Sequence, residues 1–291
     1  MRIVRFRAGG APRVGVLDDD GVIATLRGSL AELLALSAEE IRDRCSDPGR
    51  STPVPLEHAE LLAPVDGQTE VWAAGVTYSK SRSARMAESE NSASIYDRVY
   101  DADRPELFFK SAAWRVSGPG QPVSVRADSA VNVPEPELAA LLNSAGEIVG
   151  YTICNDMSSR SIEGENPLYL PQAKIYLGGC AAGPWIRPAW EVPDPYALTM
   201  SLTITREDSA AWEGTGSTGG LRRRVPELAS YLWREDEFPS GVLLSTGTSL
   251  VPDLPFSLRS GDSVRISISS VGELENPVVQ GKSAVSASRR R

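Results

Sequence analysis

The chain has 291 residues, 41% of them hydrophobic, which is enough to bury the core of one large domain and a small one. Thirty basic against 38 acidic side chains leave a net charge of −8, which argues against nucleic acid or an anionic membrane as partner. No apolar run reaches membrane-span length, MRIVRFRAGG lacks a signal-peptide apolar segment, and Cys45, Cys154 and Cys180 are widely spaced, so a cytoplasmic protein with reduced thiols is expected.

Residues 1–65 read as a small N-terminal α/β unit. RVGVL and GVIATL, joined by DDDG, predict a hairpin, because Asp and Gly supply its turn. SLAELLALSAEEIRDRC has helical periodicity, with Ser29 and Glu32 at capping-box spacing. The Pro-rich stretch DPGRSTPVPLEHAELLAPVDG predicts an extended connector, and His58, the chain's one histidine, has no assigned role there. Residues 66–291 are expected to form the core. KSRSARMAESENSASIYDRVYDAD is polar, and it suits either a solvated helix or a lid that orders over substrate. In the lid reading Arg82 and Arg85 are candidate contacts for a substrate carboxylate.

The stretch from Val133 to Trp185 carries the chemistry. Glu135 and Glu137 stand two apart in a run of strand character, so both side chains share one face. A turn at NSAGE and a second apolar run, EIVGYTIC, predict a hairpin centred between Ser144 and Ala145, with Glu135 opposite Cys154 and Glu137 opposite Thr152. Asp156 is then a diagonal neighbour of Glu135 on the same face, roughly 7–8 Å away. Alternating acidic residues also mark the wet face of an ordinary hairpin. Pro134 and Pro136, each without a ladder donor, predict an edge or bulged strand. If the three carboxylates converge, their repulsion calls for a bound cation, and an all-oxygen set favours Mg²⁺, Mn²⁺ or Ca²⁺ over Zn²⁺. Arg160, one helical turn beyond Asp156, is a candidate to hold a ligand carboxylate. Further on, Gly214, Gly216 and Gly219 have dinucleotide-fingerprint spacing, but REDSAAWE separates them from the preceding strand, so a flexible loop is predicted, followed by a helix over PELASYLWRED. The tail KSAVSASRRR is expected to be disordered.

E-x-E, GYTICND with S-x-R, QAK and GPW occur in an order that resembles the core of the fumarylacetoacetate hydrolase superfamily. LLSTGTSL and LRSGDSVRISISSVGELENPV resemble its Gly-Thr turn and closing strands. The resemblance spans roughly residues 70–280 and implies an α+β fold, a mixed β-roll core assembled as a homodimer. It implies metal ligands at Glu135, Glu137 and Asp156, a catalytic Lys174, Gly247 and Thr248 as candidates to bind the substrate carboxylate, and Glu106, in the F-x-K element, as an acid or base or simply a strand-end charge. Hydrolase members activate water with a histidine after G-x-N-Y. Here Gly75-Val76-Thr77-Tyr78 is followed by Ser81 at that position, which departs from the hydrolases and fits a lyase. VTYSKSRSARM, VPEPELA and SIEGENPLYLPQAK are similar to the sugar-acid branch, the 2-keto-3-deoxypentonate dehydratases. This implies a small 2-keto acid as substrate, a divalent ion as cofactor and 2,5-dioxopentanoate as product. The same enolate chemistry would also serve a decarboxylase, an isomerase or a carbon–carbon hydrolase, and a non-catalytic metal-binding member is a further alternative.

Overall fold

The computed structural model describes residues 1–49, 51–79 and 98–288. Its first strands are β1 (Arg2–Arg7), β2 (Arg13–Leu17) and β3 (Val22–Thr25). The β2–β3 hairpin forms as expected, with Leu17 paired to Ile23 and the Asp18 carboxylate accepting from the N–H groups of Asp20 and Val22 in the turn. The helical stretch breaks into α1 (Leu30–Leu34) and α2 (Ala38–Ser46), because a second capping box, Ser37 with Glu40, starts a new helix after the one opened by the box of Ser29 with Glu32. The connector carries two short strands, β4 (Val54–Pro55) and β5 (Glu60–Leu62).

The strands that follow are β6 (Glu70–Gly75), β7 (Glu106–Ala112), β8 (Val123–Val125), β9 (Asn132–Val133), β10 (Pro136–Leu142), β11 (Ile148–Asp156) and β12 (Ser158–Ser159). Two short helices, α3 (Arg160–Glu165) and α4 (Leu170–Lys174), precede β13 (Cys180–Pro188), β14 (Thr199–Arg206) and β15 (Ser209–Ser217). Helix α5 (Val225–Leu232), strands β16 (Val242–Ser245), β17 (Ser263–Ile268) and β18 (Gly272–Gln280), and helix α6 (Gly281–Ser288) complete the described chain. One large mixed sheet runs β4-β3-β2-β1-β13-β11-β10-β16-β6-β7, with β5 paired to β1, and a second sheet runs β15-β14-β17-β18-β8. The β6–β16 pairing is parallel, whereas the β10–β11 pairing is antiparallel. This sheet-rich mixture of strands and helices agrees with the expected α+β class.

Alternation along β10 divides the core. Leu138, Ala140 and Leu142 pack with Met200, Leu202 and Ile266 of the second sheet, while Ala139 and Leu141 pack with Leu33, Leu34 and Ile41 of the N-terminal helices. Glu137 and Glu135 continue the second series beyond its apolar end, so the site caps a packed face of the sheet.

Three expectations are corrected here. β10 is an interior strand between β11 and β16 rather than an edge, and its bulge lies at Leu141 and Leu142, away from the prolines. Pro136 is tolerated because pairing to β16 begins only at Ala139 with Ser245, so its missing donor breaks no rung. Gly214 and Gly216 lie in strand β15 rather than a loop, and a Cβ on Gly214 would fall 2.4 Å from the Trp212 ring and 2.9 Å from Leu250. Residues 281–288 of the tail form α6, with Val285 buried.

Candidate metal and active site

The hairpin that carries the carboxylates is shifted by two residues from its expected register. Glu137 pairs with Cys154 and Pro136 with Asn155, and the Asp156 N–H donates to the Glu135 carbonyl at 2.9 Å. The connection is longer than a two-residue turn. The Asn143 side chain accepts from the N–H groups of Ala145 and Glu147, and the register slips at a bulge between Leu141 and Leu142. Because the shift is even, every side chain keeps its face, and Glu135 comes to lie directly opposite Asp156 instead of diagonal to it.

Glu135, Glu137 and Asp156 are each no more than 2% exposed, and one carboxylate oxygen from each lies within 4.8 Å of the others. A hard divalent ion suits this all-oxygen set. The carboxylates also have side-chain partners. Lys174 Nζ donates to Glu135 Oε2 at 2.5 Å, to Asp156 Oδ2 at 2.9 Å and to Ser158 Oγ at 2.5 Å. Arg160, which opens α3 after the short strand β12, pairs with Glu135 Oε1 and with Glu163 Oε2, the latter at 2.7 Å. Glu137 Oε2 accepts from Ser245 Oγ at 2.5 Å and from the Gly247 N–H at 2.7 Å. Gly247 has φ +90°, and a Cβ there would meet Thr77 Oγ1 at 2.0 Å, so glycine is needed to aim this N–H at the carboxylate.

Lys110, the lysine of the F-x-K element, had no role assigned from sequence. It lies beneath the site, pairs with Asp156 Oδ1, and donates to the carbonyls of Met157 at 3.0 Å and Lys174 at 2.6 Å. β7 runs on to Ala112, beyond Lys110. Period two in the sequence sets Glu106, Phe108 and Lys110 in one series, a signal that could have found the lysine, although the pairing with β6 slips at Lys110, between Phe109 and Ser111. Glu163, three residues after Arg160, was also missed, although its i,i+3 spacing pointed to the pair.

Burial, reinforced by the charges of Asp156 and Glu135, pushes the Glu137 carboxyl well above its usual range. Burial also works against the charge of Asp156, but the Lys110 and Lys174 ammoniums outweigh it and leave that carboxyl below its usual range. The site opens into a cleft of about 370 Å³, mouth included. Glu106, Glu163, Lys174 and Thr248 stand in its wall with the three carboxylates. A Cβ on Gly75 would lie 2.1 Å from Glu106 Oε2, so glycine makes room for that side chain. The Thr248 hydroxyl is within 3.1 Å of both the N–H and the carbonyl of Leu250, and the Gly247 N–H is directed at Glu137. Arg82, Arg85 and Ser81 lie outside the described residues. Cys154 and Cys180 sulfurs are 3.9 Å apart behind the site, both as free thiols.

Residues 70–279 match the model of the fumarylacetoacetate hydrolase C-terminal family. The chain belongs to that family. Residues 1–64 match the Rv2993c-like N-terminal family. Among curated family members, the chain is 50% identical over 215 residues to a protein of Haloferax volcanii named as a probable 2-keto-3-deoxyxylonate dehydratase, covering 74% of this chain and 73% of that one. It is 46% identical over 228 residues to the 2-dehydro-3-deoxy-D-arabinonate dehydratase of Saccharolobus solfataricus, covering 77% and 76%. A solved 2-keto-3-deoxy-D-arabinonate dehydratase, complexed with magnesium and 2,5-dioxopentanoate, superposes with a TM-score of 0.85 at 36% identity, over 97% of this chain and 100% of that one. Among the described residues, no helix is long and apolar enough to cross a membrane.

Proposed function

We propose that this family member is a divalent-metal-dependent hydro-lyase that dehydrates a 2-keto-3-deoxypentonate to 2,5-dioxopentanoate. The observation that carries the reading is the joining of Glu135, Glu137, Asp156 and Lys174 in one buried cleft of a chain 46% identical to an arabinonate-branch dehydratase. Glu135, Glu137 and Asp156 would hold the ion, with Mg²⁺ preferred over Mn²⁺ or Ca²⁺. The bound ion supplies Lewis-acid polarisation of a 2-keto acid.

The chain's own groups do the rest. Arg160 and the Thr248 turn hold the substrate carboxylate, with Arg82 and Arg85 as further contacts. Lys174, fixed between two carboxylates, either takes the proton from C3 as the neutral amine or, as the ammonium, steadies negative charge on the ketone oxygen. Glu106 delivers a proton to the hydroxyl leaving C4, so that water departs, and two further proton shifts, from C5 to C3 and then from the C5 enol hydroxyl to C4, give the 2,5-dioxo product. The proposal extends to a cytoplasmic homodimer in which residues 1–65 form a small module on the catalytic core of residues 66–291.

Competing turnover of 2-keto-3-deoxypentonates and acylpyruvates tests the reaction class. The expected result is dehydration of the sugar acid with little or no carbon–carbon cleavage, and faster acylpyruvate cleavage would replace a lyase with a hydrolase. Borohydride added with substrate should leave no covalent adduct on Lys174, because its amine is engaged by Glu135, Asp156 and Ser158.

A further inference from the structure

Both oxygens of Glu135 are held by side-chain cations, Oε2 by Lys174 and Oε1 by Arg160. Glu137, by contrast, is held by neutral donors, a hydroxyl and a main-chain N–H. A divalent ion that shares Glu135 is therefore opposed by two cationic side chains, and it binds more readily if one of them draws back, since like charges repel strongly in a buried site. Lys174 is poorly placed to withdraw. Its Nζ is also bound to Asp156 and Ser158, and its carbonyl is pinned by Lys110. Arg160 is differently placed, because its other terminal nitrogen rests on Glu163 Oε2 at 2.7 Å, so on leaving Glu135 it keeps a charged partner. Glu163 stands in the cleft wall beside Glu135, so a guanidinium that stays on Glu163 remains next to the cleft.

We propose that Arg160 is an exchange residue that competes with the metal for Glu135 and, once displaced, serves the carboxylate of the 2-keto acid from its tether on Glu163. The consequence is thermodynamic. Metal and substrate acid bind with positive coupling, each raising the affinity of the other by the same factor, because occupancy of Glu135 by the ion frees the cation that the acid needs. The inference rests on the metal-dependent, 2-keto-acid reading of this cleft and adds that the side chains of Arg160 and Glu163 set how tightly metal binds in the absence of acid.

The test is Mn²⁺ binding to the whole protein, read by electron paramagnetic resonance without turnover, with pyruvate as the 2-keto acid probe. Arg160→Gln should bind Mn²⁺ about ten-fold more tightly than the unaltered protein, and Glu163→Gln several-fold more weakly, because the guanidinium is then left with Glu135 alone. General packing damage would shift both variants in the same direction, and either that result or an unchanged affinity in Arg160→Gln overturns the proposal. Pyruvate should tighten Mn²⁺ binding about ten-fold more in the unaltered protein than in Arg160→Gln. Equal tightening in the two would remove Arg160 from the coupling. Should Arg160→Gln fail to fold, weaker binding by Glu163→Gln supports the exchange and tighter binding refutes it. Turnover of 2-keto-3-deoxypentonate is assayed separately. The Mn²⁺ pattern without turnover would refute the dehydratase reading alone, and turnover without the pattern would refute the exchange alone.

Discussion

Glu40, in the first turn of α2, and Glu137, in the cleft, accept hydrogen bonds from the same kinds of donor, a serine hydroxyl and a main-chain N–H. For Glu40 these are Ser37 Oγ at 2.7 Å and Ser37 N at 2.9 Å, and for Glu137 they are Ser245 Oγ at 2.5 Å and Gly247 N at 2.7 Å. Their acidities nevertheless move in opposite directions. The hydrogen bonds from Ser37 lower Glu40, which is exposed, whereas burial and two neighbouring carboxylates raise Glu137. Donors of one kind thus close a helix end in the N-terminal region and, in the core, steady a carboxyl group that burial disfavours as an anion. The first arrangement contributes stability. The second gives up stability to hold an acid beside two others, the arrangement that the proposed metal site calls for.

The largest effect in this comparison should come from the cation that keeps Asp156 ionised. Lys110 is buried with three partners, and Lys110→Met leaves Asp156 short of one of its two ammoniums, so unfolding measurements should show a loss of about 3–5 kcal/mol. An unchanged melting temperature would mean that Lys110 is not the counter-ion of the site.

Glu137→Gln should lower turnover by a factor on the order of 10²–10³, through loss of a ligand that places the developing charge. Its stability should move the other way. A carboxyl raised on folding weakens the metal-free fold as pH rises from its unfolded pKa to its folded one, so at neutral pH the metal-free amide variant should match or exceed the unaltered protein in denaturant midpoint. A clear destabilisation would show that the charge of Glu137 is favourable in the empty site.

Proton competition sharpens the same contrast. Mn²⁺ affinity should fall as pH drops through the elevated Glu137 pKa, by up to about ten-fold per unit for one proton released. The caps behave oppositely with respect to stability. Glu32 and Glu40 are lowered on folding, so their contribution is complete above the unfolded carboxylate pKa and disappears as pH falls through the lowered folded values. The smallest expected effect is Ser37→Ala, which should cost about 1 kcal/mol in unfolding free energy without altering Mn²⁺ binding.

Much of the site was legible in the sequence because strands carry a strict period of two. The expected hairpin register was off by two residues, yet Glu135, Glu137 and Asp156 still converged, since only an odd slip reverses faces. The size of the error was not legible, because it depends on the hydrogen bonds of Asn143 in the turn and on the bulge at Leu141 and Leu142. Lys110 is the lysine of the F-x-K element and had no role assigned from sequence. Its burial follows from partners far along the chain, Asp156 and the Lys174 carbonyl, which no local pattern announces. The division between α1 and α2 could have been read, since Ser37 and Glu40 repeat the spacing of Ser29 and Glu32, but the apolar periodicity across them suggested one helix. β15 was missed because its glycines resemble loop residues, whereas Gly214 leaves space that the Trp212 ring and Leu250 fill.

The most direct test of the account is product analysis by ¹³C nuclear magnetic resonance, with 2-keto-3-deoxy-D-arabinonate and 2-keto-3-deoxy-D-xylonate each offered to chelator-stripped protein before and after Mg²⁺ is restored. The account predicts no conversion in the stripped protein, and loss of one water from at least one substrate to give 2,5-dioxopentanoate when Mg²⁺ returns. Full conversion in the stripped protein, or a restored protein that releases carbon dioxide or leaves both sugar acids unchanged, would contradict it.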